Sequence, residues 1–492
     1  MRICDQVLNA ALIGVCAVLM HCSTTWADEF KYSDKDGKEL NLQAKVLRDK
    51  SGILVIQEPD GRIRLLKNLP ELQRLPGEDP EPMDAEAFAA KLKTDLEFPH
   101  IRQSIEAPYV VNLILMDTIA TRDETKVTAF LGKAVRFFKN MESAFQSFTK
   151  QMRFESYKTK FPLAVLIFES DHDFEKHVVN TTSNNGLSAS NIAGFYDPMS
   201  NHLVLRMTEC NSFEVPLHES VHQQVFNRGI FQRLAPLPVW FNEGIATGFE
   251  ASGDRISGTP SKPHARYVQM LQTEHQLQWD ELIQKDKAFH GDILAGEAYA
   301  QAWSMHWVMV NNHKAEYVKY VKLLGEKQPL DPDSQTIRED DFKAAFDMPL
   351  NTLQKEYQTK ISAIAKRSPQ LLSTEKKGNV NGQQGMGEVS MQMVIDGNSG
   401  EIRSGGSLRN MSPWRPLTFH VTCETDVGTM CQWILPSVKP LETATLVPLS
   451  PNIRTENTRP GSPSSFRIKI RSAQPDSAEA NEWQHERPRR ER

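Results

Sequence analysis

Between residues 28 and 75 the apolar positions fall into short runs, 40–47 and 53–56, separated by Asp36-Gly37, Ser51-Gly52 and Asp60-Gly61. Runs of this length between turn dipeptides predict a small β module. The proline-rich, acidic stretch beginning at 76 predicts a linker, extended here over 76–94. Near 123–149 the period lengthens to that of a helix. Val127, Phe130, Leu131, Ala134, Phe138, Met141 and Phe145 form one stripe, and Thr121-Arg-Asp-Glu124 reads as a capping box. The unbroken apolar run 163–168 predicts a buried strand, 180–190 a polar loop, and 203–205 a second strand before another helix. Helical periodicity ends near Lys366, so 95–367 reads as one central domain. The polar, glycine-rich segment 368–387 predicts a second linker.

Beyond it the period becomes two. Leu417, Phe419, Val421 and Cys423 alternate with Thr418, His420 and Thr422, and Phe466, Ile468 and Ile470 alternate with basic residues. This predicts a β-sandwich-like domain over 388–475. The charged end, 476–492, predicts a disordered tail. The fold class expected from the pattern is α+β, a central mixed domain flanked by a small N-terminal β module and a C-terminal β domain.

Composition changes the picture at the N-terminus. The apolar run 10–20 is too short for the roughly 20 residues a membrane span requires, and Arg2 precedes it while Thr25-Trp26-Ala27 follows. Residues 1–27 therefore read as a secretory signal, implying an exported protein, periplasmic or extracellular. No later run is long enough to predict a transmembrane segment. Three of the six cysteines lie in that signal, leaving Cys210, Cys423 and Cys431. Cys423 and Cys431 flank a short turn-like segment and are the expected pair if an exported chain forms a bridge. The net charge is −5 with cations dispersed, so a nucleic-acid partner is not expected.

The chemistry concentrates in Leu217-His218-Glu219-Ser220-Val221-His222, an HExxH motif. Positions i and i+4 of a helix lie one above the other, so His218 and His222 can offer two imidazoles to one metal ion, with Glu219 beside it. Leu217, Val221 and Val225 supply an apolar stripe at i, i+4 and i+8, and Pro216 suits a first helical turn. A catalytic zinc generally takes three protein ligands and leaves one position open. Glu243, in Trp240-Phe241-Asn242-Glu243-Gly244-Ile245-Ala246 at the start of the next predicted helix, is the candidate third ligand. The other histidines, His172, His177, His202, His264, His275 and His290, show no ligand spacing, and Cys210 reads as a buried, inert thiol.

His218-Glu219-x-x-His222 followed by Asn242-Glu243-Gly-x-Ala resembles the gluzincin clan of zinc metallopeptidases, and more closely the uncharacterised peptidase MA-like proteins of bacteria described as a domain of unknown function. The segments 161–168, Gly194-Phe-Tyr-Asp-Pro198 leading into 203–205, and Tyr299-Ala-Gln-Ala-Trp303 extend the resemblance over roughly residues 95–365. It implies a zincin-like fold, one catalytic Zn2+ held by His218, His222 and Glu243, and Glu219 as general base. It also implies a protein or peptide substrate, an oxyanion donor for which Tyr299 is the candidate and His306 the runner-up, and the strand 203–205 lying over the cleft and pairing with extended substrate. Many gluzincins carry an acid four positions after the ligand Glu, where this chain has Thr247; Glu250 lies one turn further along the same face. The small β module vaguely resembles Sla1-homology barrels, implying cell-envelope contact through the flanking β modules. The alternative to a peptidase is a non-catalytic cell-envelope binding or scaffold protein that retains the fold.

Overall fold

A computed structural model describes residues 28–33, 39–67, 72–75, 77, 79–182, 192–211, 214–250, 256, 259–264, 267–268, 270–271, 277–289, 294–367, 379–384, 386–395, 401–425, 430–446, 453–454 and 466–483. The signal expected over 1–27 lies outside them, as do Asp34–Gly37. A helical central region is flanked by β-sheets on its N-terminal and C-terminal sides.

The first unit is a five-stranded sheet of β1 (Asp28–Ser33), β2 (Glu39–Lys50), β3 (Ile53–Gln57), β4 (Ile63–Lys67) and β5 (Gln73–Leu75), in the order β4-β3-β2-β1-β5. Ser51 and Gly52 both take positive φ, 54° and 73°, as a tight hairpin between right-twisted strands requires. Phe30, Ala44, Leu54, Ile56 and Leu66 form its small core. Lys91 joins buried Asp60 at 2.9 Å, and Arg233 donates to the Gly61 carbonyl at 2.6 Å, tying this module to the next.

The stretch expected as a linker over 76–94 carries helix α1 (Ala85–Asp95) from residue 85 onward. Asp84 caps it by accepting from the Ala87 N–H at 2.7 Å, and Phe88, Ala89 and Leu92 sink into the central core. Its apolar face spans only three turns beside a prolinic run, too little for periodicity to stand out.

The central sheet contains β6 (Ile101–Glu106), β7 (Tyr109–Ile114), β8 (Leu163–Phe168), β9 (Gly194–Asp197) and β10 (His202–Arg206), ordered β6-β7-β8-β10-β9. β7, β8 and β10 run parallel in the middle and are buried throughout, while β9 returns antiparallel at the edge. Helix α2 (Glu124–Met152) makes the crossover from β7 to β8, and α3 (Asp171–Thr182) follows β8. The expected stripe on α2 faces the core. The capping box does not form. A 3-10 turn, Thr121–Asp123, precedes the helix, and Glu124 turns outward to pair with Arg102 at 2.7 Å. The strand before the helix of the HExxH motif is β10, an interior strand. The sheet ends on β9, so 203–205, expected to lie over a cleft, is not an edge strand.

Helix α4 (Glu214–Asn227) carries the HExxH motif, and α5 (Val239–Thr247) carries Glu243. Helices α6 (Trp279–Gln284), α7 (Leu294–Asn312), α8 (Lys314–Gly325), α9 (Gln335–Ala345) and α10 (Leu350–Arg367) complete an aromatic helical layer around Trp240, Trp279, Trp303, Tyr317, Tyr320 and Tyr357. No described helix is long and apolar enough to cross a membrane.

The C-terminal β region has one sheet of β11 (Asn379–Gln384), β12 (Gly387–Ile395), β13 (Glu401–Asn410) and β16 (Thr443–Leu446), with β17 (Ile453–Arg454) beside β13. A second sheet is ordered β15-β14-β18, from β14 (Leu417–Thr425), β15 (Met430–Val438) and β18 (Phe466–Ala473). The linker expected over 368–387 is thus strand from 379. Gln384 pairs with Gly387 across a two-residue loop, a hairpin whose polar first strand shows no alternation. Met391, Leu408, Phe419, Val421 and Trp433 share one core with β7, β8 and α2. Cys423 and Cys431 are register partners; the Cys431 side chain, and the expected bridge with it, lie outside the described residues. Within the tail expected to be disordered, Ala478–Trp483 forms helix α11, because Trp483 is buried beneath the Arg471 guanidinium, 5.3 Å from its ring.

Candidate metal centre

Leu217, Val221 and Val225 are fully buried on α4, and this fixes the helix rotation that turns His218 and His222 toward α5. Gly244 sets the approach of α5 to α7. A Cβ there would press on the His306 ring and come within 2.7 Å of the Ala302 carbonyl, so only glycine permits this separation. Glu243, one residue earlier, then meets the two imidazoles.

His218 Nε2 lies 3.0 Å from Glu243 Oε2 and 3.1 Å from His222 Nε2, and His222 Nε2 lies 3.6 Å from the same carboxylate oxygen. Among the described residues, these three form a group able to hold a metal ion, their ligand atoms within 4.8 Å of one another. Two nearly buried ring nitrogens aimed at each other beside one carboxylate oxygen match the donor set of a tetrahedral N/O site. Ligands of an ion with bonds of about 2.0–2.1 Å sit about 3.3 Å apart, a value the three separations bracket.

The electrostatics are those of a cation site. Burial opposes charge on His218, but its hydrogen bonds to Glu243 and Glu250, with the charge of Glu219, outweigh it and hold its affinity for a proton well above the ordinary imidazole value. Glu243 is held far below the usual carboxylate range despite its burial by the charge of His222 and its bonds to both histidines.

Glu219, the next residue on α4, points toward β9 at the edge of the sheet. The Arg206 N–H bonds the Ala193 carbonyl, so by alternation the main-chain groups of Gly194 and Tyr196 face away from β10. The Tyr196 N–H donates to Glu219 Oε2 at 2.9 Å. Tyr196 is itself anchored, its hydroxyl donating to Asn201 at 2.7 Å and its ring stacked on Phe226 of α4 at 5.8 Å. Burial raises the Glu219 carboxyl above its ordinary value, against the pull of both histidines. The Gly194-Phe-Tyr-Asp segment stands out in the sequence, but this contact does not. The available signal is Gly194, where a Cβ would lie 2.8 Å from Leu205 and 2.9 Å from Val215, so glycine lets β9 pass close to the start of α4.

Tyr299 comes from α7, its ring 6.0 Å from that of His218. Burial, then the charges of Glu243 and Glu219, keep this phenol protonated well beyond its ordinary range. His306, the alternative donor, is fully buried, its Nδ1 2.8 Å from the Tyr317 hydroxyl and its ring against Phe241. It is a core residue. Cys210 lies in the turn Met207–Asn211, where burial pushes its thiol up to about 12, and it is not in the metal group.

Thr247 does not reach a histidine, since its hydroxyl donates to the Gly244 carbonyl of its own helix at 3.0 Å. The acid comes from Glu250. The chain leaves α5 through tight turns, Phe249 N–H to Ala246 and Glu250 N–H to Thr247, and these bring Glu250 Oε1 to 2.8 Å from His218 Nδ1. Glu250, one turn beyond Thr247 in the sequence, makes this contact.

Residues 215–331 match the model of a family described as a protein of unknown function, DUF1570. That segment begins on α4 and contains His218, Glu219, His222, Glu243, Glu250 and Tyr299. No curated protein matches the chain. The region that carries the His-His-Glu group is therefore similar to a family whose function is not assigned.

Proposed function

We propose that this protein is an exported, zinc-dependent metallopeptidase that hydrolyses peptide bonds. The observation that carries the reading is the convergence of His218, His222 and Glu243 with Glu219 adjacent and Tyr299 beside His218. Two imidazoles and one carboxylate are the ligand set of hydrolytic zinc, which keeps a fourth position open. Zinc bound by these residues supplies a Lewis acid that polarises a carbonyl and makes water nucleophilic near neutral pH.

The chain's own residues supply the rest. Glu219 takes the proton of the attacking water and delivers it to the leaving amine; its raised proton affinity suits an acid that must also act as a base. The Tyr196 N–H holds one carboxylate oxygen and leaves the other to face the reaction. Tyr299, kept protonated, donates to the oxygen on which negative charge develops. Support for a zincin-like arrangement comes from the antiparallel edge strand β9 lying against the HExxH helix, and β9 is the edge on which an extended peptide would be added.

Metal analysis of the purified protein, followed by Glu219→Gln against a mixed peptide library, tests this reading. The expected result is one zinc per chain in both proteins and cleavage only in the wild type. Equal cleavage by both, or zinc without cleavage in either, contradicts it, and the second result favours a binding or scaffold role.

A further inference from the structure

The carboxylate that braces His218 is itself braced. The Tyr267 hydroxyl donates to Glu250 Oε2 at 2.7 Å, on the oxygen that His218 leaves free. Tyr267 is almost wholly buried and is backed by Trp303, stacked at 5.9 Å, and by His264, 4.3 Å away ring to ring. His264 Nε2 also approaches Glu250 Oε2 at 3.9 Å. Helix α7 thus serves the centre twice, through Tyr299 beside the ligand group and through Trp303, one turn later, behind Tyr267.

We infer that Tyr267 is a positioning residue of the metal centre, acting through Glu250 to orient His218 and raise its strength as a ligand. A carboxylate that accepts the far N–H of a ligating imidazole fixes its tautomer and makes the other nitrogen more basic. A carboxylate on a short exit turn beyond the end of α5 has freedom that one inside a helix lacks, and two bonds on its two oxygens remove that freedom. This explains how a chain with Thr247 where an acid is expected still presents an oriented His218. The inference rests on the metal-site part of the proposed function and is independent of whether a peptide is cleaved.

The test is zinc affinity, measured by competition with a chromophoric chelator on the full chain, together with the visible spectrum of the cobalt-substituted protein. Tyr267→Phe keeps the ring and its stacking and deletes only the hydroxyl. The expected result is a loss of about tenfold in zinc affinity and a changed cobalt spectrum, with the melting temperature of the metal-free protein unchanged. Glu250→Ala should lose about 10- to 100-fold, and adding Tyr267→Phe to it should cost nothing further. Wild-type affinity in Tyr267→Phe overturns the inference, and so does an equal loss with and without Glu250. If zinc binding follows the expected pattern while no peptide is cleaved, this inference stands and the peptidase reading falls.

Discussion

At the scale of single residues, the centre depends on a few positions where chemistry and sterics allow no exchange. Glu243→Ala removes the only carboxylate among the three grouped ligands, and zinc should be lost from the purified protein, as metal analysis would show. Gly244→Ala puts a methyl against His306 and the Ala302 carbonyl, which should cost about 1–3 kcal/mol in urea unfolding and weaken zinc by displacing Glu243. A gain in stability from that substitution would contradict the close α5–α7 contact. These residues were legible early because HExxH and Asn-Glu-Gly are local patterns with a direct geometric meaning. Tyr267 was not legible. Its role depends on a chain reversal after α5 that no spacing rule encodes, and His264 shows no ligand spacing for the same reason.

At the scale of elements, strands with strict alternation and helices with long stripes were legible, and short or atypical ones were not. β8 announced itself by an unbroken apolar run, while β11, polar and glycine-rich, had no pattern and reads as strand only through its pairing with β12. β10 illustrates the cost of burying a polar residue in a strand. Its His202 is buried with its ring edge toward Phe88, and burial, with repulsion from Arg62, lowers its pKa to about 3 against the pull of Asp197. Between the ordinary imidazole value of 6.5 and about 3, the unfolded chain binds a proton here that the folded chain does not. Stability therefore rises with pH across that window and falls on acidification. Denaturant midpoints measured from pH 7 to 4 should decline, and His202→Gln should flatten the decline; an unchanged slope would show that this histidine titrates normally in the fold.

At the scale of the whole molecule, the central and C-terminal regions share one core, and an ion pair ties the N-terminal sheet, which has its own core, to α1. Glu169, at the end of β8 and wholly buried, accepts from the Met116 N–H at 3.0 Å and from Trp414 Nε1 and Arg415 Nε, each at 2.6 Å, joining the C-terminal β region to the central sheet. Removing one partner of a buried pair strands the other charge, so Glu169→Ala should cost about 3–5 kcal/mol and lower the melting temperature of the full chain. A loss below about 1 kcal/mol would mean that water reaches the Arg415 guanidinium. The broad α+β plan was readable from periodicity alone, but this junction was not, since Glu169 and Arg415 are far apart in sequence and neither sits in a motif. The most direct test of the central claim is the zinc content of the purified chain beside His218→Ala and Glu243→Ala, with all three shown to be folded. One equivalent is expected in the wild type and essentially none in either variant; metal retained in full by both variants would contradict a His-His-Glu site.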